Sequence, residues 1–355
     1  MYAWSESDSI SLVCLKKWYE TEDTVSFELG SIPQDLKFNF KPGQFITLGL
    51  HMPEKLDYRA YSISSRPDEN RLKLTVKRVE GGLVSNFIID ELDEGDEVSV
   101  LKPAGGFNCI DCLPSKTNKV TLVSAGCGIT PVMAMAKYWL ASDSKIDIDF
   151  IHMARDKRQT IYFEELNQLN EEFDNFHLKL LLKDNQGTAF PQGRLDKNWL
   201  VTLSPDILDR TVYLCGPIGF MQDIESYLKE LEFNMSNFYQ ESFTPAESLS
   251  CDIESNEDQA AEQNAASGAV NVFVPAFGVE LEAQQGSPLI DSLEKGGVPV
   301  IAACRSGICG SCKCKVTKGS VTSTSTETLT EEEIEQGYVL ACSSTINADV
   351  EVSLN

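Results

Sequence analysis

The sequence predicts a multidomain chain: an antiparallel β-barrel, an α/β doubly wound parallel sheet, and a small cysteine-bearing domain behind a polar linker. Three observations predict it. Through roughly the first hundred residues, short runs rich in Val, Ile, Phe, Tyr and Thr alternate with turn signals, the rhythm of a barrel or sandwich. From KVTLVSAG onward the apolar runs become nearly continuous and alternate with helical stretches, as strands buried on both faces do. Residues 244–268 then hold six acidic side chains, no basic ones and no aromatics.

Taken in order, the barrel strands are SLVCLKKWY, TVSFELG, QFITLGL, YRAYSIS, RLKLTVKRV and DEVSVLKP. The turn-rich FNCIDCLPSKTN ends that rhythm, and Cys109 and Cys112 within it read as incidental thiols of a connector, since no second pair lies nearby. KVTLVSAG, IDIDFIHMA, HLKLLLKD and TVYLCG are the expected parallel strands, with PVMAMAKYWLA and GFMQDIESYLKELE as helices between or after them. The acidic stretch is too polar to fold alone; as a flexible coil its ends would lie about 25–30 Å apart. The expected boundaries are 1–112, 113–243, 244–268 for the linker and 269–355 for the last domain. A 355-residue chain accords with two or three domains.

The net charge of −24 argues against nucleic acid, whose phosphates need clustered Lys and Arg, and against anionic membranes. The start MYAWSESDSI has neither the basic residues nor the apolar core of a signal peptide, and no apolar run approaches a membrane span. A cytoplasmic protein is expected, in which eleven cysteines serve as metal ligands and scattered buried thiols, not as disulfides. His51, His152 and His177 show no triad or metal spacing.

The stretch AACRSGICGSCKCKV concentrates four of the cysteines. Cys304, Cys309 and Cys312 give C-x4-C-x2-C, and Cys342 follows after 29 intervening residues. That is the plant-type 2Fe–2S spacing: two bridged irons need four thiolates, and one loop can supply three. Gly307 and Gly310 would let the backbone pass close and direct N–H groups at the sulfurs. Zinc sites use two short Cys or His pairs, and only one C-x2-C pair is available here. Cys314 alternates with Lys313 and Lys315 and is expected to face the core together with Val316.

The domain around these cysteines resembles plant-type ferredoxins over its whole length, which implies a β-grasp (α+β) fold. Upstream, RAYSIS offers an arginine, an aromatic face and a hydroxyl on one strand, and VKRVEGGLVSNFI puts two glycines ahead of a helix that Ser85 is expected to open. VSAGCGITPV is strand, glycine turn and helix, and YLCGPIGFM is close to C-G-P-x-x-F-M. In this order the motifs resemble the ferredoxin–NADP reductase superfamily. The resemblance implies FAD held by Arg59, Ala60, Tyr61, Ser62, Val76 and Lys77, by Gly82, Leu83, Val84 and Ser85, and by Phe243 at the ring edge. FAD is expected over FMN because Ser85 offers a phosphate contact beyond Arg59. For the nucleotide it implies the turn Gly126, Cys127, Gly128 with Ile129, Thr130 and Pro131, then Arg155, and Cys215, Gly216, Pro217 and Met221. Cys215, Thr130 and Ser62 are the expected catalytic residues; Cys304, Cys309, Cys312 and Cys342 are the expected cluster ligands.

A nicotinamide gives two electrons as hydride and a plant-type cluster takes one, so a flavin belongs between them. The expected function is an NAD(P)H oxidoreductase passing electrons through FAD and a 2Fe–2S cluster to an external metalloprotein. NADH and NADPH stay undivided: Arg155, Lys157 and Arg158 suit a 2′-phosphate but also suit a solvated loop. AGCGITP and RAYSISSRP lean towards the hybrid cluster protein as acceptor, with a Rieske-type or related oxygenase as the alternative. A redox- or iron-sensing binding module is the reading from another class.

Overall fold

The computed structural model describes residues 3–4, 9–52, 56–142, 145–243, 268–302, 305, 307, 309–326 and 328–354. The chain divides into two compact units, residues 1–243 and 244–355. The acidic stretch expected at 244–268 lies outside the described residues apart from Gly268.

The first unit begins with strands β1 (Ser9–Thr21), β2 (Thr24–Gly30), β3 (Phe45–His51), β4 (Leu56–Ser62) and β5 (Leu72–Lys77), helix α1 (Leu83–Asp90) and strand β6 (Glu97–Leu101). The strands form one sheet in the order β4-β3-β6-β1-β2-β5, every pairing antiparallel. Just past β4, the Ser64 N–H donates to Lys73 O at 2.9 Å, which brings the two ends of that order together. Alternate side chains such as Leu12, Phe27, Leu48 and Leu74 fill the interior, the period-2 burial a curled sheet imposes. Helix α1 starts at Leu83, so Ser85 sits inside its first turn instead of opening it.

The chain continues through β7 (Lys119–Ala125), α2 (Ile129–Ala141), β8 (Asp147–Ala154), α3 (Phe163–Glu172) and β9 (Phe176–Leu182). Helix α4 (Lys197–Leu203), β10 (Thr211–Cys215), α5 (Ile218–Glu230) and β11 (Phe238–Glu241) complete the unit. These five strands run parallel in the order β11-β10-β7-β8-β9. Apolar layers cover both faces, one around Ile129, Met133 and Tyr213, the other around Ile151, Leu214 and Ile224. Continuous apolar strands are the consequence. Arg210 closes the amino end of the sheet, bonding Asp206 Oδ1 at 2.6 Å and Val120 O at 3.0 Å, with Asp149 Oδ2 at 3.2 Å. The carboxyl end is left open.

The second unit holds β12 (Ala269–Val274), β13 (Val279–Gln284), α6 (Leu289–Lys295), β14 (Lys313–Lys318) and β15 (Val321–Ser323). It ends with α7 (Glu331–Glu335), β16 (Tyr338–Leu340), β17 (Ser344–Ile346) and β18 (Val350–Ser353). The main sheet runs β13-β12-β18-β14-β16, with β12 and β18 parallel and the other pairs antiparallel, while β15 and β17 pair separately. Leu289, Ile290 and Leu293 of α6 pack into the same core as the inner face of the sheet. Among the described residues no helix is long and apolar enough to cross a membrane.

Candidate active site and metal centre

At the open end of the parallel sheet, β7 runs into a tight turn, Gly126–Gly128, and then into α2. Gly126 has φ +55°, and a Cβ added there would meet nothing within 4 Å. The conformation asks for glycine, and the space above it is free for a ligand. Gly128 is confined instead: its Cβ would lie 2.2 Å from Cys215 O. The turn is thus pressed against the end of β10, and Thr130 Oγ1 donates to Cys127 O at 3.0 Å to hold its shape.

Cys215 is fully buried and lies opposite Glu241 in the β10–β11 register. Burial pushes its thiol well above the ordinary value, with the Glu241 and Cys127 charges adding to it. Burial likewise lifts Cys127 to about 11, an effect that Lys77 opposes. The Tyr61 hydroxyl is raised by burial and feels both Arg59 and Cys127. Tyr61, Lys77, Cys127, Cys215 and Glu241 therefore share one neighbourhood, in which the sulfurs stay neutral. Glu241 is a site residue the sequence reading missed. It is one acidic letter in YQESF, and only the strand register shows it beside Cys215.

On the barrel side, β4 presents Arg59, Ala60, Tyr61 and Ser62 in succession. The Arg59 guanidinium pairs with Asp57 Oδ1 at 2.6 Å and donates to Tyr58 O at 2.7 Å. Ser62 Oγ is buried and has no hydrogen-bond partner among the described residues, a state that folded proteins avoid unless a ligand or water completes it. Gly82 precedes α1, and no side chain caps the N–H groups of that helix. Ser85 Oγ instead accepts from the Val79 N–H at 3.2 Å. Leu83 is exposed.

Five of the expected binding side chains lie in apolar cores: Val76 and Val84 in the barrel, Ile129, Cys215 and Met221 in the sheet. Only their backbones are available to a ligand. Pro131 is buried in the first turn of α2, and Gly216 and Pro217 lead into α5. Arg155 is exposed just after β8, and Phe243 is exposed beyond β11. Asp156 accepts from the Gln159 N–H at 3.0 Å, which shapes the loop carrying Lys157 and Arg158. His152 is fully buried with Nδ1 2.9 Å from Ser124 Oγ, just below the glycine turn.

In the second unit, Cys312 and Cys342 are buried and Cys309 is half-buried. The Gly307 N–H donates to Cys342 Sγ at 3.2 Å, and the Cys342 N–H donates to Cys312 Sγ at 3.4 Å. Gly307 and Gly310 both have φ +74°, so the loop turns as only glycine does comfortably. Backbone donors aimed at sulfur suit thiolate ligands of an iron–sulfur centre. Cys304 lies outside the described residues, and among those described no three His, Cys, Asp or Glu side chains are grouped as for a metal ion. Cys314 is fully buried on β14, its thiol pushed to about 12 by burial and then by Cys312. Val316, expected beside it in the core, is only half-buried. The connector thiols differ from each other: Cys109 is buried and pushed to about 12, while Cys112 is half-buried with its carbonyl held by the Tyr213 hydroxyl.

Comparison with known proteins identifies the three domains. Residues 12–109 match an oxidoreductase FAD-binding domain, 122–226 an oxidoreductase NAD-binding domain, and 272–347 a 2Fe–2S iron–sulfur cluster binding domain. The chain is 35% identical over 345 residues to a glycine betaine monooxygenase reductase subunit of Pseudomonas aeruginosa, covering 95% of this chain and 93% of that protein. It is 33% identical over 309 residues to the NADH oxidoreductase HCR of Escherichia coli, covering 86% of each. The solved structure of phthalate dioxygenase reductase shares the fold, with a TM-score of 0.64, 24% identity and 98% of both chains covered. The chain belongs to the ferredoxin–NADP reductase superfamily, among the FAD- and NAD-binding oxidoreductases that carry a fused C-terminal 2Fe–2S ferredoxin domain.

Proposed function

We propose that this NAD(P)H-dependent FAD/2Fe–2S reductase supplies electrons to the oxygenase component of a monooxygenase acting on N-methylated quaternary ammonium compounds. The observation that carries the reading is the 35% identity to glycine betaine monooxygenase reductase subunits, which extends over 95% of the chain. A second reading, delivery to the hybrid cluster protein, is supported by the 33% identity to the Escherichia coli HCR reductase.

A bound flavin would supply the two-electron to one-electron conversion that a hydride donor and a one-electron cluster require. The residues of this chain bind and orient. Ser62 offers the flavin its otherwise unpartnered hydroxyl. The uncapped N–H groups of α1 and the Arg59 guanidinium, once exchanged from Asp57, meet phosphate. Gly126 leaves room for the nucleotide, and Arg155 stands exposed after β8 to meet its far end. Cys215 keeps its proton on Sγ, so the buried thiol brings no charge to the end of β10, and its backbone is what borders the glycine turn. Thr130 holds the turn through Cys127 O. Cys309, Cys312 and Cys342, with Cys304, hold the cluster.

The test is a coupled assay with NADH and with NADPH, in which the reductase meets purified oxygenase component or purified hybrid cluster protein. We expect formaldehyde release from glycine betaine with the oxygenase, at least tenfold faster per reductase than reduction of the hybrid cluster protein. The opposite ratio overturns the first reading in favour of the second.

A further inference from the structure

Within the first unit, the barrel and the parallel sheet meet across a buried polar seam centred on Tyr162. This residue precedes α3 with φ +61°, a left-handed conformation unfavourable for an aromatic side chain and found where surroundings over-determine it. Its buried hydroxyl lies 2.5 Å from Thr75 Oγ1 and 3.1 Å from Ser64 Oγ, both on the barrel. Thr75 Oγ1 is in turn 2.7 Å from Ser26 Oγ. Lys73 Nζ stands 4.1 Å from the centre of the Tyr162 ring and pairs with Glu165 Oε2 at 3.1 Å. The other Glu165 oxygen pairs with Lys137 at 2.9 Å, and Lys137 reaches the Ser64 carbonyl at 3.4 Å. Burial lifts the Tyr162 hydroxyl to about 12 against the pull of Lys73, so it stays protonated. Burial would raise Glu165, but Lys137 and Lys73 outweigh it and hold the carboxylate below its ordinary value.

The seam's attachment points sit beside the site on both sides. Ser64 is two residues past Ser62, and Thr75 directly precedes Val76 and Lys77. Lys137 is on α2, the helix whose first turn holds Thr130. The seam therefore ties the strands assigned to flavin to the helix assigned to the nucleotide, through bonds between buried hydroxyls and partly buried ion pairs. We propose that Tyr162 is a positioning residue that sets the barrel against the glycine turn and so fixes the approach of nicotinamide to flavin. This rests on the reading above that hydride passes between these two halves.

The experiment compares Tyr162→Phe, Thr75→Val and the double variant with the wild-type holoenzyme under anaerobic stopped flow. Four quantities are read: the rate of flavin bleaching at saturating nucleotide, the long-wavelength absorbance of nicotinamide against flavin, nucleotide Kd, and FAD content. Each single variant is expected to slow bleaching by about five- to tenfold and weaken the long-wavelength band, because small misplacement is expensive in rate. Kd and FAD content are expected to stay within about twofold, and the double variant to be no slower than the slower single one, as partners in one bond behave. Wild-type rate and band with a lowered Tm alone would reduce the seam to a structural role and overturn the proposal, as would additive slowing. If Tyr162→Phe fails to hold FAD, Thr75→Val decides from the barrel side by the same readings. Wild-type flavin that neither nucleotide bleaches overturns the functional reading itself, an outcome distinct from any behaviour of the variants.

Discussion

The proposed cluster loop and the Gly126–Gly128 turn would both bring backbone close to a cofactor, yet by different means. In the proposed cluster loop, thiolates would be the attachment and the backbone would serve them: N–H groups of Gly307 and Cys342 point at sulfur. In the turn, the backbone shape would itself be the site: it is pressed on the end of β10, and Thr130 holds it through Cys127 O. Loss of a coordinating atom should therefore be all-or-none, while losses around the turn should be graded by how far the backbone moves.

The largest effect is expected from Cys342→Ala, which should abolish the cluster's visible absorbance and iron content while FAD remains. Cys314→Ala should retain both, since the buried Cys314 is a core residue of β14. If both variants lose iron, the separation of ligand from core thiol breaks. Next in size is Gly128→Ala. A methyl group 2.2 Å from Cys215 O cannot be absorbed by side-chain movement, so the turn must lift, at a cost of about 1–3 kcal/mol as for overpacking. Nucleotide titration should show binding weakened far more than FAD content. Ser62→Ala should slow flavin reduction about tenfold with FAD retained, the value of about one hydrogen bond; an unchanged stopped-flow rate would sharpen the comparison by removing Ser62 from the flavin's proposed contacts.

The smallest effect near neutral pH is expected from His152 beneath the turn. Burial lowers it from 6.5 to about 3, so the unfolded chain takes up a proton between those values and the folded chain does not. Stability of the chain should accordingly fall as pH drops below 6.5, by up to about 1.4 kcal/mol per unit from this group. Thermal unfolding at pH 7.5 and 5.5 should show a smaller gap for His152→Asn than for wild type.

Strand and helix identities were largely legible, because alternating runs such as RLKLTVKRV and continuous ones such as KVTLVSAG carry their burial pattern openly. Cluster spacing was legible too, since three of the expected ligands sit within nine residues and Cys342 has no competitor downstream. What stayed hidden depends on pairs distant in the chain. Glu241 beside Cys215, and Tyr162 against Thr75 and Ser64, are contacts across 26 residues or more. Motif matching also took in Val76, Val84, Ile129 and Met221 along with their neighbours, although their side chains point into cores.

By itself the sequence determined the kinds of layers, the glycine positions and the cysteine spacing, because each is set by local periodicity or by backbone freedom at a single residue. Only the tertiary structure decided that Cys215 keeps its proton, that Ser62 is left unsatisfied, and that a tyrosine in a left-handed conformation joins barrel to sheet. Those properties come from desolvation and from hydrogen bonds between elements far apart in sequence, which exist only once the layers have closed on one another.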